Sequence, residues 1–217
     1  MHLRSKLLDD AGFLHAFGAR DAGDREIAST LGVDRVVQTT QVHGARVVPA
    51  DAAPGEAADA VVARGGSSPV AVGVRVADCV PVLLADARSG DVAAVHAGWR
   101  GVVAGVVPAA VAALGPAPSL VAAVGPCIGA CCFEVGLDVA ELIARACEEP
   151  SVVARARGEK RYVDLRAAVR AQLRASGLAD ARIEDVAGCT MHEAHFHSYR
   201  RDGKASGRML AAIATRR

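Results

Sequence analysis

The sequence predicts an α+β fold in which mixed β-sheets are layered with helices. Two observations carry that prediction. Apolar runs of strand length crowd the first half: "PVAVGVRV" (69–76), "VPVLLAD" (80–86) and "DVAAVHA" (91–97). Longer segments with apolar residues at helical spacing dominate the second half, with further short strands between them. There is no internal repeat and no low-complexity linker, so a single domain over residues 1–217 is expected.

Taken in order, "GFLHAF" (12–17) reads as a short strand and "DREIASTLG" (24–32) as a helix ending at Gly32. "VDRVVQTTQVHGARVVPA" (33–50) reads as two extended segments around a turn near His43 and Gly44. Residues 51–69 are rich in Ala, Gly, Pro and Ser, with "ADAVVA" as a strand inside them. The three buried strands follow, and "ARSG" (87–90) makes a tight turn between the last two. Residues 102–114 suit a helix only if it starts late or kinks at Pro108. "SLVAAVG" (119–125) is a strand, and "GLDVAELIARACEE" (136–149) and "VDLRAAVRAQLRASG" (163–177) are helices. Gly177 suits the cap of the second. "RIEDVAG" (182–188) and "RMLAAIA" (208–214) close the fold as strands.

Composition narrows the function. Hydrophobic residues make up 52% of the 217, much of it Ala and Val, so the chain can bury a large core of small side chains. Net charge is +1 and aromatics are 3%, with Lys and Arg dispersed, which argues against nucleic acid as a partner. The most apolar stretch, "GVVAGVVPAAVAALG" (101–115), is too short to span a bilayer. "MHLRSKLLDD" has no apolar signal region, so a cytoplasmic protein is expected, with a monomer favoured. Six cysteines in a chain of this length read as free thiols rather than a disulfide framework.

Three apolar segments flank a metal-capable side chain. "QVHG" offers His43, "VADCVP" offers Cys79 beside Asp78, and "VHAGWRG" offers His96. An antiparallel pair joined by "ARSG" brings Cys79 and His96 to one sheet edge. Two imidazoles and one thiolate suit Zn²⁺ with a fourth position open. The separations, 36 and 17 residues, match no short finger motif. Each residue also has a structural reading: a hydrogen-bonded His, a small core Cys, or a Trp99 that merely packs on the sheet. "GPCIGACCFEVG" (125–136) has a CxxxCC spacing, but its glycines and Pro126 favour a tight loop with cysteines as small buried residues. "HFHSYRRDGKASGRM" (195–209) reads as a solvated hairpin before the last strand, or as an anion-binding loop carrying Arg200.

In this order, "QVHG", "ADCVPVLLAD", "VAAVHAGWRG", "GPCIGACCFEVG", "CT" and "FHSYRRDGKASGRM" resemble the YfiH-type family, also called the multicopper polyphenol oxidoreductase or laccase-like family. The resemblance runs from about Gly12 to the C-terminus. It implies layered sheets of an α/β/β/α kind and a mononuclear zinc site on His43, Cys79 and His96. It also implies phosphorolysis of purine nucleosides (adenosine, inosine, methylthioadenosine), with adenosine deamination. The segment before "QVHG" is shorter than the family's, and Arg20 would stand in for the Arg of its "TRxGG"-like stretch.

The leading expectation is therefore a zinc-dependent purine nucleoside phosphorylase with adenosine deaminase activity, acting on a nucleoside and phosphate. Cys79, His96 and Asp78 form the catalytic set, Asp78 as acid or base. Arg20, Arg100 and Arg200 are the candidates for substrate and phosphate, and Trp99 shapes the wall. Two alternatives use the same residues. One is a copper-dependent phenol oxidase, for which seven His are few for several coppers, although Cu²⁺ competes well at such a site. The other is a Cys/His hydrolase acting on a peptidoglycan precursor, with Cys79 as nucleophile and His96 as base.

Overall fold

The fold is that of a computed structural model, which describes residues 1–216. In chain order the first half holds β1 (His2–Leu3), α1 (Lys6–Asp10), β2 (His15–Gly18), α2 (Asp24–Thr30), β3 (Val36–Val37), β4 (Val47–Pro49), β5 (Ala60–Ala63), β6 (Ala71–Val76), β7 (Val80–Asp86) and β8 (Val92–Ala97). There follow α3 (Trp99–Ala104), α4 (Val106–Leu114), β9 (Leu120–Val124), β10 (Glu134–Gly136), α5 (Leu137–Ala146), β11 (Val153–Arg157), β12 (Lys160–Val163), α6 (Leu165–Ala175), β13 (Ile183–Asp185), α7 (Tyr199–Asp202) and β14 (Met209–Ala214).

The strands form two large mixed sheets and one small one. The first has the order β1-β2-β14-β6-β3 and the second β13-β9-β7-β8-β5-β4. The alternation of side chains along each strand explains how they stack. On β7, Leu83 and Ala85 point into a core shared with Val72, Val74, Ala211 and Ile213 of the first sheet. Val82 and Leu84 point the other way, into a core filled by α3, α4, α5 and α6. The outer face of the first sheet, Ala71, Leu210 and Ala212, is covered by Ile27 of α2 and by Leu31. The result is four layers, helix, sheet, sheet, helices, in agreement with the α+β expectation.

Consecutive apolar runs do not share a sheet. β6 lies in the first sheet and β7 in the second, so the bend at residues 77–79 crosses between layers. The extended segments on either side of His43 are split in the same way. β3 pairs with β6, and β4 pairs with β5. The kink expected near Pro108 falls three residues earlier. Gly105, at φ 82°, ends α3 and begins α4, so Pro108 sits in the first turn of α4, where its missing N–H costs nothing. The three-stranded sheet β10-β12-β11 is an addition to the sequence-based reading. Residues 195–209 form α7 and a short helical turn, not the hairpin expected there.

Candidate metal centre

The centre assembles from three places in the fold. His96 is on β8, whose register against β7 sets Pro81 opposite His96 and Val80 opposite Ala97. Cys79 precedes β7 by one residue and so lies beside His96. His43 arrives on the turn between the two sheets. Gln41 ties that turn down like an extra strand: its amide donates to the Arg75 carbonyl at 2.8 Å and accepts from the Arg75 N–H at 2.7 Å. The ligand atoms of His43, Cys79 and His96 all lie within 4.8 Å of one another. The two imidazole rings meet edge to face, with centroids 4.7 Å apart.

A buried carboxylate organises all of this. Asp59, just before β5, is fully buried and accepts four hydrogen bonds. One comes from His96 Nδ1 at 2.7 Å. Three come from successive backbone N–H groups, those of Val42 (3.2 Å), His43 (2.9 Å) and Gly44 (2.7 Å). His43 takes φ 62° to aim its N–H there, a left-handed conformation that few side chains adopt. Burial pushes the Asp59 carboxyl up, but His96 and these N–H donors outweigh it and hold the group below its ordinary value. Sequence reading missed Asp59. The available signal was a carboxylate opening an otherwise apolar strand, in "ADAVVA".

The same balance operates on the ligands. Burial pushes the Cys79 thiol up, while the hydrogen bonds and charge of His43 and His96 pull it down to about 7. Burial pushes His96 down, while Asp59 and Cys79 raise it to about 9. Gly98 leaves the room: a Cβ there would stand 2.9 Å from His43 Cδ2 and 3.0 Å from Cys79 Sγ. With Nδ1 committed to Asp59, His96 presents Nε2 to the centre, as a histidine ligand backed by a carboxylate does. Two nitrogens and one sulfur converging at this separation can hold a metal ion.

The centre opens on a cleft of about 770 Å³. Trp99, Ile128, Phe133 and Val139 form an apolar wall, and Arg75, Arg200, Arg208, Gln41 and Tyr199 supply polar groups. Of the arginines expected there, only Arg200 lines the cleft. Its guanidinium donates to the Cys132 and Glu134 carbonyls at 3.4 and 3.1 Å. Arg20 is held elsewhere, against Asp202 at 3.0 Å and the Phe196 carbonyl. Arg100 stacks on the outside of Trp99, 4.4 Å from the ring centroid, and is exposed. Arg75 and Arg208 were not singled out from the sequence. Asp78 lines the cleft, but its carboxylate is engaged by Thr190 Oγ1 and the Arg200 N–H, each at 2.6 Å. Those bonds tie the Asp78 segment to the loops that carry Thr190 and Arg200.

A three-donor centre facing a cleft between layered sheets and helices defines a class of small-molecule site rather than a macromolecular surface. The chain belongs to the family described as multi-copper polyphenol oxidoreductase laccase, whose model matches residues 21–216. It is 43% identical over 209 residues to the purine nucleoside phosphorylase SCO2081 of Streptomyces coelicolor, covering 90% of this chain and 82% of that one. It is 37% identical over 207 residues to the adenosine deaminase RL5 of an unknown prokaryotic organism, covering 86% of this chain and 78% of that one. The crystal structure of YlmD from Geobacillus stearothermophilus matches with a TM-score of 0.86 at 27% identity, over 100% of this chain and 96% of that chain. No helix among the described residues is long and apolar enough to cross a membrane.

Proposed function

We propose that this protein is a zinc-dependent purine nucleoside phosphorylase with an accompanying adenosine deaminase activity. The observation that carries the reading is the His43–Cys79–His96 centre facing a cleft lined by both apolar side chains and arginines. Relatives named for both activities support it.

The donor set fits zinc: two borderline nitrogens and one thiolate, with the approach from the cleft left open. Bound there, zinc supplies a Lewis acid that polarises a substrate oxygen or activates water. The protein's own groups do the rest. Asp59 fixes the orientation and tautomer of His96 and, through the backbone of residues 42–44, the position of His43. Trp99 and Phe133 offer flat apolar surface for a purine base and exclude water from that side. Arg200 and Arg208 give the cleft the positive charge that phosphate requires. Asp78 acts by positioning, since it fastens the Arg200 backbone to the segment holding Cys79.

The copper oxidase reading requires several copper ions on imidazole ligands. Among the described residues only one metal-capable group contains two histidines. The hydrolase reading draws on the lowered Cys79 thiol.

The test is product analysis on protein of known metal content, incubated with adenosine or inosine with and without phosphate. Phosphate-dependent release of adenine or hypoxanthine establishes phosphorolysis, and inosine from adenosine establishes deamination. Failure of zinc-loaded protein to give either overturns the proposal.

A further inference from the structure

The "CxxxCC" loop and the "CT" segment, far apart in sequence, meet at a second cluster of donors. Cys131 and Cys132 come from the loop after β9, and Cys189 and His192 from the loop after β13. The ligand atoms of all four lie within 4.8 Å of one another. Cys131 is exposed and Cys132 only partly buried, which corrects the expectation that these cysteines are small buried residues; Cys127 alone in that loop is buried.

The distances have the scale of a tetrahedral metal. Zinc bonds of about 2.3 Å to sulfur and about 2.0–2.1 Å to nitrogen require ligand separations of about 3.8 Å between sulfurs and about 3.5 Å between sulfur and nitrogen. Cys131 Sγ lies 3.7 Å from Cys189 Sγ and 3.5 Å from Cys132 Sγ. Cys132 Sγ lies 3.1 Å from His192 Nε2. Cys189 and His192 are three residues apart on one turn, a close-spaced ligand pair of the kind structural zinc sites use. The Gly129 N–H donates to Cys189 Sγ at 3.3 Å, as backbone amides do toward a sulfur that carries charge.

We propose that Cys131, Cys132, Cys189 and His192 form a second, structural zinc site, separate from the centre in the cleft. On binding, the three thiols pass their protons to solvent and neutral His192 lends a ring lone pair, so four protein ligands close the coordination sphere. The site staples two loops that build the cleft. One carries Ile128 and Phe133, and the other leads into Tyr199 and Arg200. Already the loops meet through the Thr190 N–H to the Cys127 carbonyl and through Arg200 to the Cys132 carbonyl.

The experiment is zinc counting on purified, unchelated protein by plasma mass spectrometry, with circular dichroism as the check on folding. The wild type is expected to hold two equivalents per chain. The Cys131→Ser/Cys189→Ser variant is expected to lose one, and His96→Ala to lose the other. Unchanged zinc in the double variant overturns the proposal, as does a wild type whose single equivalent disappears in His96→Ala. A Cys131–Cys189 disulfide in protein kept under reducing conditions overturns it too. Should the double variant not fold, cobalt-grown wild type decides. Sulfur-to-cobalt charge transfer scales with the number of thiolates, so two sites give about four times the band of a His₂Cys site alone. A band of the single-thiolate size refutes the second site. None of these outcomes depends on the substrate of the first.

Discussion

Asp59 and His96 are joined at 2.7 Å, and the same carboxylate holds the backbone N–H of His43 at 2.9 Å. One buried acid thus positions two of the three converging donors. Asp59→Asn keeps the shape and removes the charge. It is expected to weaken zinc binding by about 10–100-fold, the usual cost of losing a carboxylate behind a histidine ligand. Competition with a chromogenic chelator measures this, and unchanged affinity refutes the role given to Asp59.

Gly98 tests the geometry of the centre without touching a donor. Its φ of −72° suits alanine, so Gly98→Ala imposes no backbone strain. The new methyl group would press on His43 and Cys79. The expected result is a folded protein, by circular dichroism, with less than one-tenth of the wild-type turnover; about 1.4 kcal/mol of misplacement is enough for that factor. Full activity in Gly98→Ala would show that the centre tolerates a looser arrangement.

Among the described residues Arg208 has no carboxylate partner, and it donates to the Ser206 and Gly207 carbonyls. Arg208→Ala is expected to raise the KM for phosphate by about tenfold, the loss of one charge-assisted hydrogen bond. The KM for nucleoside should move far less. Equal effects on both substrates in steady-state kinetics count against a phosphate role.

His15 provides a pH dependence remote from the cleft. It is fully buried and stays neutral, with Nδ1 bonded to the Phe13 carbonyl at 2.9 Å and Nε2 accepting the Ser5 N–H at 2.7 Å. Burial holds its pKa below 6.5, the ordinary value. The unfolded chain therefore takes up the proton first as pH falls. Stability is complete above pH 6.5 and declines below it, by up to about 1.4 kcal/mol per pH unit until the folded pKa is reached. Urea unfolding at pH 7.5 and 5.5 should show a smaller difference for His15→Asn than for wild type. An equal difference removes His15 as the cause.

The parts of this structure that were legible in the sequence share a physical signature. β7, the "ARSG" turn and β8 form a hairpin of continuous apolar residues, so the neighbourhood of Cys79 and His96 followed from the pairing alone. Sheet membership was not legible. Both large sheets are buried on both faces, so β6 and β7 lack the alternation that would distinguish one layer from another. The small sheet escaped because "VARAR" at 153–157 is mostly exposed and interrupts its short apolar residues with Arg155 and Arg157. Asp59 escaped because its one local signal, a carboxylate opening the apolar "ADAVVA", does not reveal partners that come from residues 42–44 and 96. The arginines divide for a similar reason: exposure and pairing with Asp202 decide the fate of Arg20, and neither is written in its neighbourhood.

The position of β14 has a consequence for how the chain is made. It lies between β2 and β6, which have no contact along the sheet without it. During synthesis both of those strands leave the ribosome long before residues 209–214 do. For that interval each presents an open, largely apolar edge, His-Ala-Phe-Gly in β2 and Ala-Val-Gly-Val-Arg-Val in β6, the kind of edge that recruits other chains. The nascent protein thus has a window of vulnerability that closes only when β14 is inserted, and a stall before residue 209 would leave the first sheet still in two halves.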